Sequence, residues 1–121
     1  MKAPLFKLEG SMPKLLGATC KSCGYNWFPA IFYGCEKCGA HGKDLAPREF
    51  DGLGRLLSRV EVREGEGSFI LAMIELDAGP VLGGIVDDHA IPSIGDKVEA
   101  YDLEENAETV LRFRKCHAEN D

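Results

Sequence analysis

Four of the five cysteines form two Cys-x-x-Cys pairs that lie close together in the chain. The first pair is Cys20 and Cys23, the second is Cys35 and Cys38, and eleven residues separate them. Each such turn directs two thiolates toward one point, and two turns supply the four sulfurs of a tetrahedral Zn²⁺ site with metal–sulfur distances of about 2.3 Å. The spacing therefore predicts a metal site with these four cysteines as its ligands.

The predicted site is structural, because four thiolates leave no open coordination position for water or substrate. Gly24 and Gly39 directly follow the pairs and permit the positive φ that these turns often need. Iron is the alternative metal, since Cys23-Gly24-Tyr25 resembles a rubredoxin knuckle, but the short spacing between the pairs favours a zinc ribbon. A ribbon of about thirty residues buries too little apolar surface to fold alone, so metal binding should supply most of its stability.

The other residues that could act as catalytic groups or metal ligands have weaker support from the sequence. Cys116 and His117 are a conceivable nucleophile and base, but adjacent side chains on a strand point to opposite faces, which favours a spare thiol. His41 follows the ribbon, where four sulfurs already complete the coordination shell, and His89 is expected on a solvated loop. The sequence thus predicts no catalytic residues in this chain.

The second half of the chain has the pattern of short β-strands. Apolar segments are separated by glycine-rich or polar turns, and they span residues 53–63, 68–77, 81–86, 98–101 and 109–115. Within the third segment, Gly83-Gly84 predicts a bulge or a close backbone approach. Five short strands suit a small closed barrel, which leaves no exposed sheet edge.

The composition changes near residues 44–51, where Ala46-Pro47 is expected to interrupt any regular element. We therefore expect a mainly β protein with three parts. Residues 1–17 form a short helical or irregular segment, residues 18–46 the zinc ribbon, and residues 47–121 the barrel.

Charge and hydropathy restrict the function classes. The chain has 121 residues and a net charge of −6, with +3 on residues 1–50 and −9 on residues 51–121. The acidic barrel half would repel a phosphate backbone, so nucleic acid is not an expected partner. The longest apolar run, residues 69–74, is far shorter than the roughly 20 residues of a membrane span, and the N-terminus lacks a signal-peptide pattern. We expect a cytoplasmic protein that does not bind membranes.

The order of the motifs resembles the family of rubredoxin-like zinc-ribbon/OB-fold proteins. The similarity covers about residues 13–116 and is carried by Leu16-Gly17-Ala18-Thr19-Cys20, Phe28-Pro29, the second cysteine pair, Asp51-Gly52-Leu53-Gly54-Arg55-Leu56-Leu57-Ser58, the strand ending in Glu75-Leu76-Asp77, and Ile94-Gly95-Asp96-Lys97-Val98-Glu99. There are departures: Ala30 and Ile31 stand where the family has a proline and an arginine, and Glu36 stands where it has a proline. A contact made by that arginine would be lost here.

The resemblance implies an OB-fold barrel and an accessory role. Members of the family are typically small, non-catalytic subunits of thiolase-type acyl-CoA acyltransferases, docked beside the coenzyme A thioester. The alternatives are a partner of an acyl-CoA hydratase, a free acyl-CoA-binding module and, with less support, a single-stranded nucleic-acid-binding OB protein.

Two groups of residues are candidates for contacts in such a complex. Arg112 and Arg114 point the same way on the last predicted strand, where they would contact coenzyme A phosphates or pair with the many carboxylates. The ribbon also has more large apolar side chains than it can bury around one metal ion, and these are Tyr25, Trp27, Phe28, Ile31, Phe32 and Tyr33. Some of them should therefore pack on the barrel or on another protein.

Overall fold

A computed structural model describes residues 5–10, 12–87 and 90–116 of the chain. Within these residues the protein consists of nine β-strands and one short 3₁₀ helix, Gly42–Asp44. The strands are β1 (Phe6–Glu9), β2 (Met12–Cys20), β3 (Asn26–Trp27), β4 (Leu45–Asp51), β5 (Leu53–Glu64), β6 (Gly67–Leu76), β7 (Val81–Val86), β8 (Lys97–Glu105) and β9 (Glu108–Lys115). No helix in this part of the chain is long and apolar enough to cross a membrane.

The last five strands form a closed barrel in the order β5-β6-β7-β9-β8, which confirms the predicted five-stranded barrel. The antiparallel β5–β6 and β8–β9 hairpins supply most of the pairing. β5 closes the barrel against β8 between Leu53 and Arg55. The parallel contact of β7 with β9 has one register pair, Val86 with Phe113.

Alternation of side chains along each strand fills the barrel. On β6, Ala72, Ile74 and Leu76 are buried, whereas Leu71 and Met73 at the alternate positions are exposed. The interior is completed by residues of the other strands, namely Leu56, Leu82, Val86, Val98, Ala100 and Phe113. The apolar interior is thus a direct consequence of a period-two sequence pattern.

Of the two alternatives predicted for Gly83-Gly84, the close approach is the one observed. The β6–β7 register runs without a shift, and a Cβ on Gly84 would lie 2.8 Å from the ring of Phe113. The register shift in the barrel lies on β5 instead, between Leu56 and Ser58.

The N-terminal segment differs from the prediction of helical turns or irregular chain. Residues 6–9 and 12–20 form an antiparallel hairpin, and β2 pairs along its other edge with β4. On β2, Pro13, Leu15 and Gly17 are buried at alternate positions, so the segment has a strand pattern that its glycines and prolines obscure.

The expectation that Ala46-Pro47 interrupts regular structure is also wrong. Pro47 lies within β4, opposite Ala18 of β2. β4 pairs with β2 alone among the described strands, so the missing N–H of the proline falls on an edge strand, where it costs no ladder hydrogen bond.

The sheet formed by β1 to β4 is joined to the barrel through a shared core. Leu15 of β2 and Phe50 of β4 are 0% and 2% exposed, and both belong to the same cluster as the barrel interior. The backbone N–H of Ala100 donates to the carbonyl of Gly52, just after β4, at 2.7 Å. The predicted divisions at residues 17/18 and 46/47 stay predictions.

Candidate metal centre and the surfaces around it

The structure brings the four predicted cysteine ligands together. The Sγ atoms of Cys20, Cys23, Cys35 and Cys38 all lie within 4.8 Å of one another. The Cys20–Cys38 and Cys23–Cys35 sulfur pairs are each 3.6 Å apart. A tetrahedral ion with bonds of about 2.3 Å requires sulfur–sulfur edges of about 3.8 Å, so the arrangement fits a tetrathiolate metal site.

Disulfides do not explain the cluster. A sulfur–sulfur bond is about 2.05 Å long, and all five cysteines of the chain are free thiols. Four sulfur donors at tetrahedral spacing suit Zn²⁺ or an iron of the rubredoxin type. The donor set is complete without His41, which is exposed at the start of the 3₁₀ helix.

Each cysteine pair is shaped by a turn that ends on a glycine. Gly24 and Gly39 both have φ of +83°, as the sequence predicted. The N–H of Gly24 donates to the carbonyl of Cys20 at 2.7 Å, and the N–H of Gly39 donates to that of Cys35 at 2.8 Å. The two turns are therefore built alike, and an L side chain at either glycine would strain the turn that directs the sulfurs.

The environment shifts the pKa values of Cys35 and Cys23 in opposite directions. At Cys35, desolvation opposes ionisation, but the backbone N–H groups of Cys38 and Lys37 outweigh it and lower the pKa to about 7. At Cys23, the backbone N–H of Tyr25 favours the thiolate, but desolvation and hydrogen bonds with the neighbouring cysteines raise the pKa to about 11. Backbone amides thus already stabilise negative charge on part of the site.

Two aromatic residues complete the small core of the ribbon. Tyr25 and Trp27 stack with ring centroids 5.9 Å apart and pack against the cluster of Cys20, Cys35 and Leu45. The hydroxyl of Tyr25 donates to the carboxylate of Glu36 at 2.9 Å, and this bond raises the pKa of Tyr25. The sequence offers no signal for this partnership beyond Glu36 itself, which stands where the family it resembles has a proline.

Three consecutive apolar side chains remain at the surface of the ribbon. Ile31, Phe32 and Tyr33 are 45%, 46% and 94% exposed. Their loop is held in place because the indole N–H of Trp27 donates to the carbonyl of Ile31 at 2.8 Å. By contrast, Phe28 packs against the barrel core, so the ribbon's large apolar side chains divide between interior and surface.

An apolar groove lies beside this loop. Its volume is about 630 Å³, and its walls come from the loop, β2 and β4: Leu16, Gly17, Ala30, Phe32, Pro47, Arg48 and Glu49. The groove and the exposed side chains together form one surface, which we call the ribbon face.

The two candidate arginines for coenzyme A phosphates are both bound to carboxylates of their own chain. Arg112 donates to Glu105 at 2.7 Å, and Arg114 donates to Glu99 at 2.9 Å. The guanidinium of Arg114 also lies 4.6 Å from the ring centroid of Tyr101. A contact with coenzyme A phosphates stays a prediction for both residues, and it would have to compete with these ion pairs.

Cys116 is 7% exposed, and its Sγ lies 3.6 Å from a carboxylate oxygen of Glu99. A buried thiol beside a carboxylate is poorly placed to attack a substrate. The predictions for His89 and His117 fall outside the described residues.

No family model and no curated protein matches the chain. Among solved structures, it is similar to a chain of the "Ltp2-ChsH2(DUF35) aldolase", with a TM-score of 0.67 and 24% sequence identity. The match covers 84% of each of the two chains. At this level of identity the similarity shows the fold alone.

Proposed function

We propose that this chain is the non-catalytic small subunit of a thiolase-type acyl-CoA acyltransferase complex. In this role it docks beside the acyl-CoA site, stabilises the assembly and holds a structural Zn²⁺ on Cys20, Cys23, Cys35 and Cys38. The ion, when bound, supplies a fixed cross-link between the two cysteine turns. Bond making and breaking on the thioester is left to the large subunit.

The ribbon face is the observation that carries the proposal. An exposed Tyr33 beside Phe32 and Ile31, on a loop anchored by a hydrogen bond, is a preformed apolar protrusion next to an apolar groove. Aromatic side chains displayed in this way are frequent anchors of protein interfaces, and a preordered loop loses little entropy on binding. A large protein partner explains this surface better than a small acyl-CoA does, since ligand sites are usually concave and enclosing.

The structural neighbour supports an enzyme-associated role in general terms. The name of that structure couples a DUF35 chain with an aldolase. The finer assignment to a thiolase-type partner is supported by the order of sequence motifs. Within that group, benzoylsuccinyl-CoA thiolase of anaerobic toluene breakdown is the first activity to test.

Native mass spectrometry of the tagged protein, isolated from its own cells, tests the proposal. We expect a complex that contains a thiolase-sized subunit and one Zn²⁺ per chain of this protein. Recovery of a hydratase or an aldolase instead of a thiolase would identify a different class of partner enzyme. A lone 13.2 kDa chain would contradict the accessory role and favour a free binding module.

A matched pair of variants tests the ribbon face within that complex. Tyr33→Ala removes a side chain that is 94% exposed, so it should weaken the complex without lowering the thermal stability of the isolated chain. Ile94→Ala is the control, because Ile94 is an exposed apolar residue, 68% accessible, on a loop of the barrel. Equal weakening by both variants, or none by Tyr33→Ala, would remove the ribbon face from the interface.

A further inference from the structure

A second surface lies on the barrel. Where β7 meets β9 through the single register pair of Val86 and Phe113, the outer faces of β6 and β7 and of the β8–β9 hairpin border an open cleft of about 810 Å³. The described residues that line it are Glu64, Gly67, Ser68, Phe69, Ile85, Val86, Asp87, Tyr101, Leu103, Glu105 and Arg112. We call it the barrel cleft.

The wall of the cleft formed by β8 follows from strand periodicity. Tyr101, Leu103 and Glu105 are alternate residues of β8 and share the face opposite to the buried Val98 and Ala100. This wall therefore changes from aromatic to aliphatic to acidic along its length.

Apolar surface continues from the cleft onto the outside of the barrel. Leu71, which is 38% exposed, pairs with Ile85 of the cleft wall on one side and with Val60, which is 56% exposed, on the other. The row Val60–Leu71–Ile85 extends across three strands and widens the apolar floor beyond the cleft. A surface this open and long suits an extended polypeptide better than a compact small molecule.

The charges that line the cleft indicate which charge its ligand should carry. Glu64, Asp87 and Glu105 contribute three negative charges, and Arg112, already paired with Glu105, contributes the one positive charge among the described lining residues. The guanidinium of Arg114, which pairs with Glu99, already lies over the ring of Tyr101, so this ring contributes apolar surface to the wall. A net charge of −2 disfavours phosphate-bearing ligands and favours lysine or arginine.

We propose that the barrel cleft binds an extended segment of a partner polypeptide in which Lys or Arg stands beside apolar residues. The basic side chains face Glu64 and Glu105, and the apolar ones lie on Phe69, Ile85 and Leu103. This surface is distinct from the ribbon face, so the proposal does not require the partner to be a thiolase.

Selection of a displayed library of random dodecapeptides on the metal-loaded protein tests the inference. We expect enrichment of sequences that combine basic and apolar residues. The best peptide, labelled with a fluorophore, should bind in an anisotropy titration, and amide signals of Ser68, Ile85 and Leu103 should shift in ¹⁵N NMR spectra.

Paired variants locate the binding. Glu64→Gln with Glu105→Gln removes two carboxylates and releases the charge of Arg112, so the peptide should bind about tenfold more weakly. Leu103→Ser should weaken binding without added charge, and its NMR spectrum shows whether the barrel is intact. Glu61→Gln with Glu75→Gln removes two charges outside the cleft lining and should leave the affinity unchanged.

Three outcomes would overturn the inference. Enriched peptides without basic residues would exclude the charge selection, and equal weakening by both double variants would show a non-specific attraction to the acidic barrel. Shifts at the cleft residues with oligothymidylate, but not with the peptide, would assign the cleft to nucleic acid.

Discussion

Removal of the metal should release the segment between the two ribbon strands and leave the barrel folded. Residues 21–44 connect β2 to β4. Apart from Phe28, which packs against the main core, their interior is the cluster of Cys20, Cys35 and Leu45 with Tyr25, Trp27 and Ala40 packed against it. β2 and β4, in contrast, pair from Lys14 to Cys20 and contribute Leu15 and Phe50 to the barrel core. The two strands should therefore persist when the ion is gone.

The expected increase in amide exchange follows from the free energy of metal binding. Structural zinc contributes on the order of 10–16 kcal/mol in small finger peptides at neutral pH. If only about 5 kcal/mol of that energy holds this segment closed, its amides should exchange roughly 10³ to 10⁴ times faster without metal. The reporters are the N–H groups of Gly24, Gly39 and Cys35, which donate to Cys20, Cys35 and Ala40 at 2.7–2.8 Å.

Hydrogen exchange followed by NMR, with and without a chelator, measures this effect. Leu76 N–H, which donates to Pro80 at 2.8 Å, and Ala100 N–H are the reference amides in the barrel. Unchanged exchange at Gly24 and Gly39 would refute a structural metal. A collapse of protection at Leu76 and Ala100 would refute the independence of the barrel.

Two further predictions concern stability and acidity. Gly54→Ala would place a Cβ 2.4 Å from the backbone oxygen of Glu75. We expect this variant to lose about 2–3 kcal/mol of unfolding free energy, measured by urea unfolding. Gly67→Ala is the control and should cost little, because its Cβ would meet nothing nearer than 3.9 Å. The hydrogen bond to Glu36 stabilises neutral Tyr25, so Tyr25 should ionise at higher pH in the folded than in the unfolded protein. The stability that this bond contributes is complete below the unfolded pKa of 10 and declines as the pH rises above it. Ultraviolet titration of the protein and of Glu36→Gln tests this, and identical tyrosine titrations would contradict it.

The barrel was predictable because its strands alternate or form compact apolar runs between glycine turns. The predicted segments 53–63 and 81–86 nearly coincide with β5 and β7. The metal ligands were predictable because two Cys-x-x-Cys turns have few other uses in a chain without disulfides. Both signals are local in sequence, and neither depends on the rest of the fold.

The N-terminal hairpin was not predictable by the same means. Its strand β2 contains Pro13 and Gly17, residues that weaken a strand assignment, and its partner β4 contains Pro47. Gly17 is required by packing, since a Cβ there would lie 2.3 Å from the ring of Phe50 and 2.5 Å from the carbonyl of Trp27. Only the tertiary arrangement shows why a glycine strengthens the packing at this position.

The metal centre and the ribbon face are mechanically linked. The loop with Ile31, Phe32 and Tyr33 lies between Cys23 and Cys35, whose sulfurs are 3.6 Å apart, so an ion shared by these sulfurs fixes both ends of the loop. The hydrogen bond from the indole N–H of Trp27 to the carbonyl of Ile31 then holds the middle of the loop in position. The barrel cleft has no such dependence, because its walls are barrel strands that pair among themselves. Loss of the metal should therefore release the loop part of the ribbon face and preserve both its β2–β4 wall and the barrel cleft, which gives each proposed interface an independent physical basis.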